Sequence, residues 1–355
     1  MLQFITIHEL VLAITIVFIL VLLLIIIVLL YSVYKYRVLH NRQIWTHIIE
    51  SKITSFIVED QNFLDTDESF LNHLQVPAFR SLFLDLLVKS EQKFSGVAHE
   101  QITHIFQLFQ LEDEAWRNLH KKKSYLIAGG IQELTAMRVE RALPMFISLL
   151  AHPQQHVYQE AQYAIVSFKG FEGLNFLETL VQPLSDWQQL RLLRSITDIP
   201  NLQIFRIYSW LESSNASVTI FTLRLIRKFQ LLSFYEAVLK LLNHSMLTVK
   251  IEVVRTLQAL ENIDTVNQLM GSFPHQPQSI QIEILKALKV SKNLQTEQFL
   301  KEQLWQHPAN SIKIASAEVL VCLGQRQYLR DMAWEISTPA QFKQIINHAL
   351  QEKIC

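Results

Sequence analysis

The stretch TVKIEVVRTLQAL, residues 248–260, returns in altered letters as SIQIEILKALKV, residues 279–290. With Val249 set over Ile280 the offset is 31 residues (280 − 249), and Glu252 falls over Glu283 and Arg255 over Lys286. The same register extends both ways. Ile312 lies 32 residues beyond Ile280, and Val218, Trp187, Val157 and Leu126 precede Val249 in steps of 31, 31, 30 and 31. Apolar or small side chains mostly fill the first, fifth and eighth places of these seven segments, which line one face of a helix. The exceptions are Glu133, Arg191 and Arg194, so the segment WQQLRLLRS, which begins at Trp187, is the least regular.

A second helical segment stands between successive copies, as in ERALPMFISLLA (140–151), GLNFLETLVQ (173–182), NLQIFRIYSWLE (201–212) and SFYEAVLKLLN (233–243). Turns such as AHPQQ and FPHQPQ separate the two. One such hairpin cannot bury its own apolar stripe, whereas stacked hairpins share a continuous core. The pattern therefore predicts an all-α chain with an array of hairpins, the stretch from Tyr328 onward forming a closing pair. Glu252–Arg255 and Glu283–Lys286 read as i,i+3 pairs on exposed faces, worth about 0.2–0.5 kcal/mol each.

Ahead of the repeats, Leu10–Tyr31 is apolar throughout apart from Thr15. At about 1.5 Å per residue it is long enough to cross a hydrocarbon layer of about 30 Å. No Lys or Arg precedes it, which argues against a secretory signal peptide. Lys35, Arg37 and Arg42 follow it, with Tyr31, Tyr34 and Tyr36 placed for the headgroup level. The excess of positive charge after the span predicts a single-pass anchor with the rest of the chain in the cytoplasm. Trp45, Ile48, Ile49, Ile53, Phe56 and Ile57 then form a helical stripe, and Pro77 marks a helix start. These signals divide the chain into an anchor at 1–36, a juxtamembrane helix and linker at 37–77, and a repeat array at 78–355.

Lys plus Arg equals Asp plus Glu, at 32 each, which is no profile for a dedicated nucleic-acid binder. Two cysteines, Cys322 and Cys355, are too few for a disulfide scaffold or a metal site, and the 13 histidines show no tight ligand spacing. His47, His73, His104 and His156 read as scattered. There is no G-x-S-x-G and no phosphate-binding glycine loop. Gly129 and Gly130 fall inside a repeat helix, where glycine serves close packing. The acids of DTDES (65–69) lack the glycine and the distant glutamate of a calcium loop, and LEDEAW (111–116) reads as the acidic first turn of a helix. No catalytic constellation and no cofactor are expected.

The best copy, residues 142–170, carries Ala142, Leu143 and Pro144 at its start, Leu149 and Leu150 before a Pro153 turn, then Val157, Ala161 and Ala164. These units resemble HEAT repeats of the short variety, departing from them at Trp187 and in lacking most of the usual turn aspartates. The resemblance implies a right-handed α-solenoid. Joined to one N-terminal span, it is also similar to bacterial inner-membrane proteins, some associated with polysaccharide-synthesising glycosyltransferases. The implied role is a membrane-anchored cytoplasmic scaffold or adaptor for a protein partner, with the bilayer as its other contact.

Arg224, Arg255 and Lys286 hold one equivalent place in three successive units, a candidate basic stripe for an acidic partner segment. Lys121, Lys122 and Lys123 read as a solvated helix start, and Trp45, Trp116 and Trp305 as the tryptophans whose exposure bears on binding. Two rival readings remain. One is a structural subunit of a larger membrane complex, which the Leu/Ile/Val-rich span without a small-xxx-small pattern disfavours. The other is an enzyme like the bilin lyases, whose repeats these units also resemble and which handle tetrapyrroles on a concave helical face.

Overall fold

The computed structural model describes residues 7–58, 68–91, 93, 97–200, 203–260, 262–335 and 339–351. The described secondary structure is entirely helical, and the chain divides into two compact units, Met1–Ala164 and Ile165–Cys355. Asp65, Asp67 and Cys355 lie outside the described residues.

The first unit begins with α1 (Ile7–Val58), a single helix of 52 residues, about 78 Å long at the α-helical rise. Its two ends behave differently. The side chains of Val11, Leu12 and residues 14–30 stand exposed, whereas Ile49, Ile53 and Phe56 are buried. The span and the juxtamembrane stripe are thus one element. The buried end packs on α3 (Pro77–Glu91) and α4 (Val97–Leu108), with α2 (Glu68–Leu74) against α3. An aromatic core forms there. Phe70 makes edge contacts with Phe79, Phe83 and Phe109 at 5.6, 5.7 and 5.7 Å, and Trp45 meets Phe79 edge-on at 5.8 Å. Such edge-to-face pairs contribute about 0.5–1.5 kcal/mol each beyond area burial. Arg80 donates to the carbonyls of Phe109 and Gln110 at 3.2 and 2.6 Å, satisfying backbone acceptors just beyond α4.

Next, α5 (Glu112–Leu119) and α6 (Ser124–Ala136) make a tight pair. Glu112, Asp113 and Glu114 do form the acidic first turn of α5. Gly130 explains the tightness, because a Cβ there would lie 2.6 Å from the Leu119 backbone nitrogen. This glycine allows helices to touch, as its position in a repeat helix predicts. α7 (Leu143–Leu149) follows, with proline in its first turn, and α8 (Gln155–Lys169) ends at Gly170, whose φ of +56° suits glycine.

In the second unit, α9 (Asp186–Ser195), α11 (Ala216–Lys228), α13 (Leu247–Ala259), α15 (Gln278–Ser291), α17 (Asn310–Cys322) and α19 (Ala340–Gln351) pack each on the next. Between them run the shorter α10 (Arg206–Leu211), α12 (Tyr235–Lys240), α14 (Thr265–Ser272), α16 (Glu297–Gln306) and α18 (Arg326–Trp334). Hairpins therefore stack into a solenoid-like array around one apolar core. The segment 173–182, read as a helix from sequence, is instead a 3-10 stretch over Gly170–Glu178.

The register holds in five of the seven copies. Val157, Ala161 and Ala164 are buried, as are the first, fifth and eighth places beginning at Val218, Val249, Ile280 and Ile312. It fails at α9, where Trp187 is 70% exposed and Gln188, Gln189, Leu192, Leu193 and Ile196 are buried instead. Two local contacts fix that rotation. The Ser185 hydroxyl caps the helix by accepting from the Gln188 backbone N–H at 3.2 Å, and the Gln189 side chain donates to the Leu184 carbonyl at 3.1 Å. In the copy beginning at Leu126 the buried set is likewise displaced, to Ala128, Gly130, Ile131, Leu134 and Thr135, leaving Glu133 partly exposed.

Candidate functional site: a charged groove across α9, α11 and α13

The equivalent places of Arg224, Arg255 and Lys286 lie on α11, α13 and α15, so the fold brings the three cations onto neighbouring helices. They do not form a bare basic stripe. Arg224 is only 19% exposed in its side chain and bonds Asp186 at 2.8 Å and the Gln189 side-chain oxygen at 3.0 Å, with its Nε 3.4 Å from Glu252. Arg227 approaches the other Glu252 oxygen at 2.8 Å. One helix further on, Arg255 donates to Glu283 at 2.6 Å, and Lys286 reaches that residue's second oxygen at 3.1 Å.

The result is a ladder at the repeat spacing, in which the seventh-place cation of one helix meets the fourth-place glutamate of the next. It stops at Lys286, because the fourth place of α17 is Ala315. Lys286 therefore turns back to Glu283 on its own helix. This corrects the expectation of surface pairs within one helix. Glu252 and Glu283 are buried, and Arg255 pairs across helices rather than with Glu252. Glu283–Lys286 does form as an i,i+3 pair. Burial pushes the Glu283 carboxyl up, but the hydrogen bonds and charges of Arg255 and Lys286 outweigh it and hold the group below the usual carboxylate range.

The face opens into a groove of about 510 Å³ lined by Asp186, Leu190, Leu193, Arg224, Arg227, Lys228, Glu252 and Arg255. Lys228 closes one end by donating to the carbonyls of Leu193 and Ile196, both at 2.5 Å, where α9 terminates. Desolvation lowers the pKa of this lysine. Four cations face two carboxylates in the groove, and Leu190 (58% exposed) adds an apolar surface three residues along α9 from the exposed Trp187. Buried and half-buried ions beside an exposed apolar rim give the groove both polarity and shape, the two features that recognition surfaces use.

The other sequence candidates sit elsewhere. Tyr31, Tyr34, Lys35, Tyr36, Arg37 and Arg42 are all exposed on α1. Lys35 stacks over the Tyr31 ring at 5.8 Å, and Tyr36 stacks on His40 at 6.0 Å. Of the tryptophans singled out, Trp45 and Trp116 are half-buried, Trp116 donating to Glu112 at 2.8 Å, and Trp305 stacks on Phe342 at 4.6 Å. Sequence reasoning passed over Trp187 and Trp334, which are far more exposed. For Trp187 the signal was present, since it breaks the small-residue rule at its place in the repeat. Among the described residues no group of three His, Cys, Asp or Glu side chains is arranged to hold a metal ion.

No family model matches the chain, and no curated protein matches it. Solved structures give distant likenesses. An engineered protein from a structural genomics consortium is 15% identical with a TM-score of 0.34, covering 77% of this chain and 84% of that one. The CpcE–CpcF complex of phycocyanin lyase from Nostoc sp. PCC7120 is 13% identical with a TM-score of 0.32, covering 67% and 93%. Neither likeness carries an argument. The helical-repeat architecture rests on the hairpins themselves.

Proposed function

We propose that this chain is a membrane-anchored scaffold that acts by holding a partner protein and not by catalysis. In this reading residues 1–36 anchor it in a bacterial inner membrane, 37–77 lead into the body, and 78–355 form a right-handed solenoid of short HEAT-like repeats on the cytoplasmic side. The observation that carries it is α1, one helix whose first part displays apolar side chains outward and whose last part is buried in a helical body. Such an element makes sense where the outer surface meets lipid, because the same surface in water would be an aggregation liability.

The α9–α11–α13 groove is where an acidic, partly apolar segment of the partner docks, with Arg255 as the most accessible of its arginines and Lys286 beside it. Anchoring raises the effective concentration of any membrane-resident partner, so a weak interface suffices. A polysaccharide-synthesising glycosyltransferase is the partner this design suggests.

The test is cross-linking of the full-length protein in its native membrane, with a version lacking residues 1–34 as control. Recovery of one membrane synthase, lost in the control and lost in Arg255→Glu/Lys286→Glu, is the expected result. Recovery unchanged by the charge reversals would remove the groove from the reading. Co-purification of a fixed multi-subunit complex through the span alone would favour a structural subunit instead.

A further inference from the structure

A second groove, of about 690 Å³, lies in the first unit, where α1 passes the corner between α5 and α6. Val38, Arg42 and Trp45 line it from α1, and Asn118, Lys121, Tyr125 and Glu133 from the corner. Tyr31, Lys35, Val38, Arg42, Trp45 and Ile49 follow one another at steps of three or four residues, so they share one face of α1. The face that docks the body through Trp45 and Ile49 thus continues upward as Arg42, Lys35 and Tyr31. The fold sets Lys121, some eighty residues away in sequence, beside that same face, with Lys122 and Lys123 following it in the chain before Tyr125, which also lines the groove.

The charges do not cancel. The groove's carboxylates have their own partners: Asp85 bonds Lys89 at 2.8 Å, and both Glu133 oxygens accept from the Asn118 amide at 3.0 and 3.2 Å. Burial, and secondarily the nearby carboxylates of Glu114 and Asp85, push the Glu133 carboxyl up, against the Asn118 hydrogen bond and the attraction of Lys121. The cations are less committed. Lys121 donates at 2.8 Å to the neutral Asn118 oxygen and is attracted by the Glu133 carboxylate, Lys123 lies over the exposed Tyr125 ring at 5.9 Å, and Lys122 is exposed. Arg42 makes no side-chain hydrogen bond or ion pair among the described residues and is exposed. Height matters equally. Counting from Tyr31 at about 1.5 Å per residue, Val38 and Arg42 stand roughly 10 and 16 Å beyond the apolar run. That is just outside the headgroup layer, within about one Debye length of an anionic surface and near enough for long basic side chains to reach towards it.

We propose that the groove between α1 and the Lys121–Tyr125 corner gathers anionic phospholipid headgroups, fixing the first unit against the membrane surface. This inference rests on the anchor reading above. The cations supply charge, while Tyr125 and Val38 offer an amphipathic rim suited to the interface.

The experiment uses the full chain in nanodiscs of mixed phosphatidylglycerol and phosphatidylcholine, followed by native mass spectrometry of the lipids retained. Wild type should keep phosphatidylglycerol in preference. Each lost cation should lower that preference about fivefold, from the roughly 1 kcal/mol that one basic residue contributes near such a surface. Lys122→Gln/Lys123→Gln, which removes no described side-chain hydrogen bond, should therefore lower it by an order of magnitude or more, and Arg42→Gln should lower it further. An unchanged lipid ratio in both variants overturns the proposal. So does loss of the retained lipid on adding inorganic phosphate at low millimolar concentration, which would identify a free-phosphate site. Alkaline carbonate extraction separates the two readings. Release of the wild-type chain would sink the anchor and this proposal with it, while a retained chain without lipid preference would sink this proposal alone.

Discussion

Helices α9 and α13 occupy the same station in their repeats, yet they solve burial differently. α13 follows the period, burying Val249, Val253 and Thr256 and sending Glu252 sideways to two arginines of α11. α9 is turned about its axis, burying glutamines and exposing Trp187 and Leu190. The buried Gln189 has one side-chain hydrogen bond to the Leu184 carbonyl and one from Arg224, so its burial is compensated. A repeat can thus absorb an irregular member when polar partners replace missing apolar contacts. The exposed apolar surface this creates is the rim of the candidate groove.

The comparison can be broken most sharply at Glu252. Glu252→Ala leaves Arg224 and Arg227 without their shared carboxylate in a largely buried setting, and should cost about 3–5 kcal/mol of stability. Asp186→Asn, at the exposed end of the same ladder, should change little. Urea midpoints of the detergent-solubilised chain would check both, and equal effects would refute the ladder as a buried network.

Leu257→Ala, in the fully buried core of α13, is expected to cost about 2–5 kcal/mol. On α9, Trp187→Ala, at the place that Val249 fills in α13, should stay within about 0.5 kcal/mol, although a tryptophan is the larger deletion. A large loss at Trp187 would mean that α9 keeps the common register after all.

Lys228→Met removes the two hydrogen bonds that tie α11 to the end of α9, and a loss of about 1–3 kcal/mol is expected. Increased amide exchange confined to Asp186–Ser195 would locate the effect.

The smallest effect concerns pH. The Glu283 carboxyl is depressed in the folded state, so its contribution is fully present above the unfolded carboxylate range and is lost as pH falls through the folded value. Between neutral pH and about pH 3, Glu283→Gln should flatten the fall in urea midpoint relative to wild type. A parallel fall in both would show that Arg255 and Lys286 do not hold that charge.

Much of the architecture was readable from the chain. The apolar run, the helix start at Pro77 and five of the seven repeat copies follow from periodicity, because every residue involved answers to its own helix. What was hidden depends on partners far along the chain. Arg224 lies 38 residues from Asp186, and Arg255 lies 28 from Glu283. An i,i+3 rule finds neighbours on one helix and has no view of the next, so two buried glutamates were read as surface residues. The rotation of α9 was hidden for a related reason, as its cap at Ser185 and the carbonyl of Leu184 lie outside the repeated pattern. The lysines at 121–123 read as an ordinary solvated helix start, and only the fold sets Lys121 in one groove with Arg42.

The unbroken α1 has a mechanical consequence. A tether of flexible chain would let the first unit wander while its anchor moved beneath it. A stiff helix running from an apolar segment into a packed core works as a lever, and any torque on one arm appears at the other. In a bilayer, a change of thickness that alters the tilt of the span would swing the first unit through the same angle, with the arc growing along the arm. The first unit would then report the state of its surroundings as orientation.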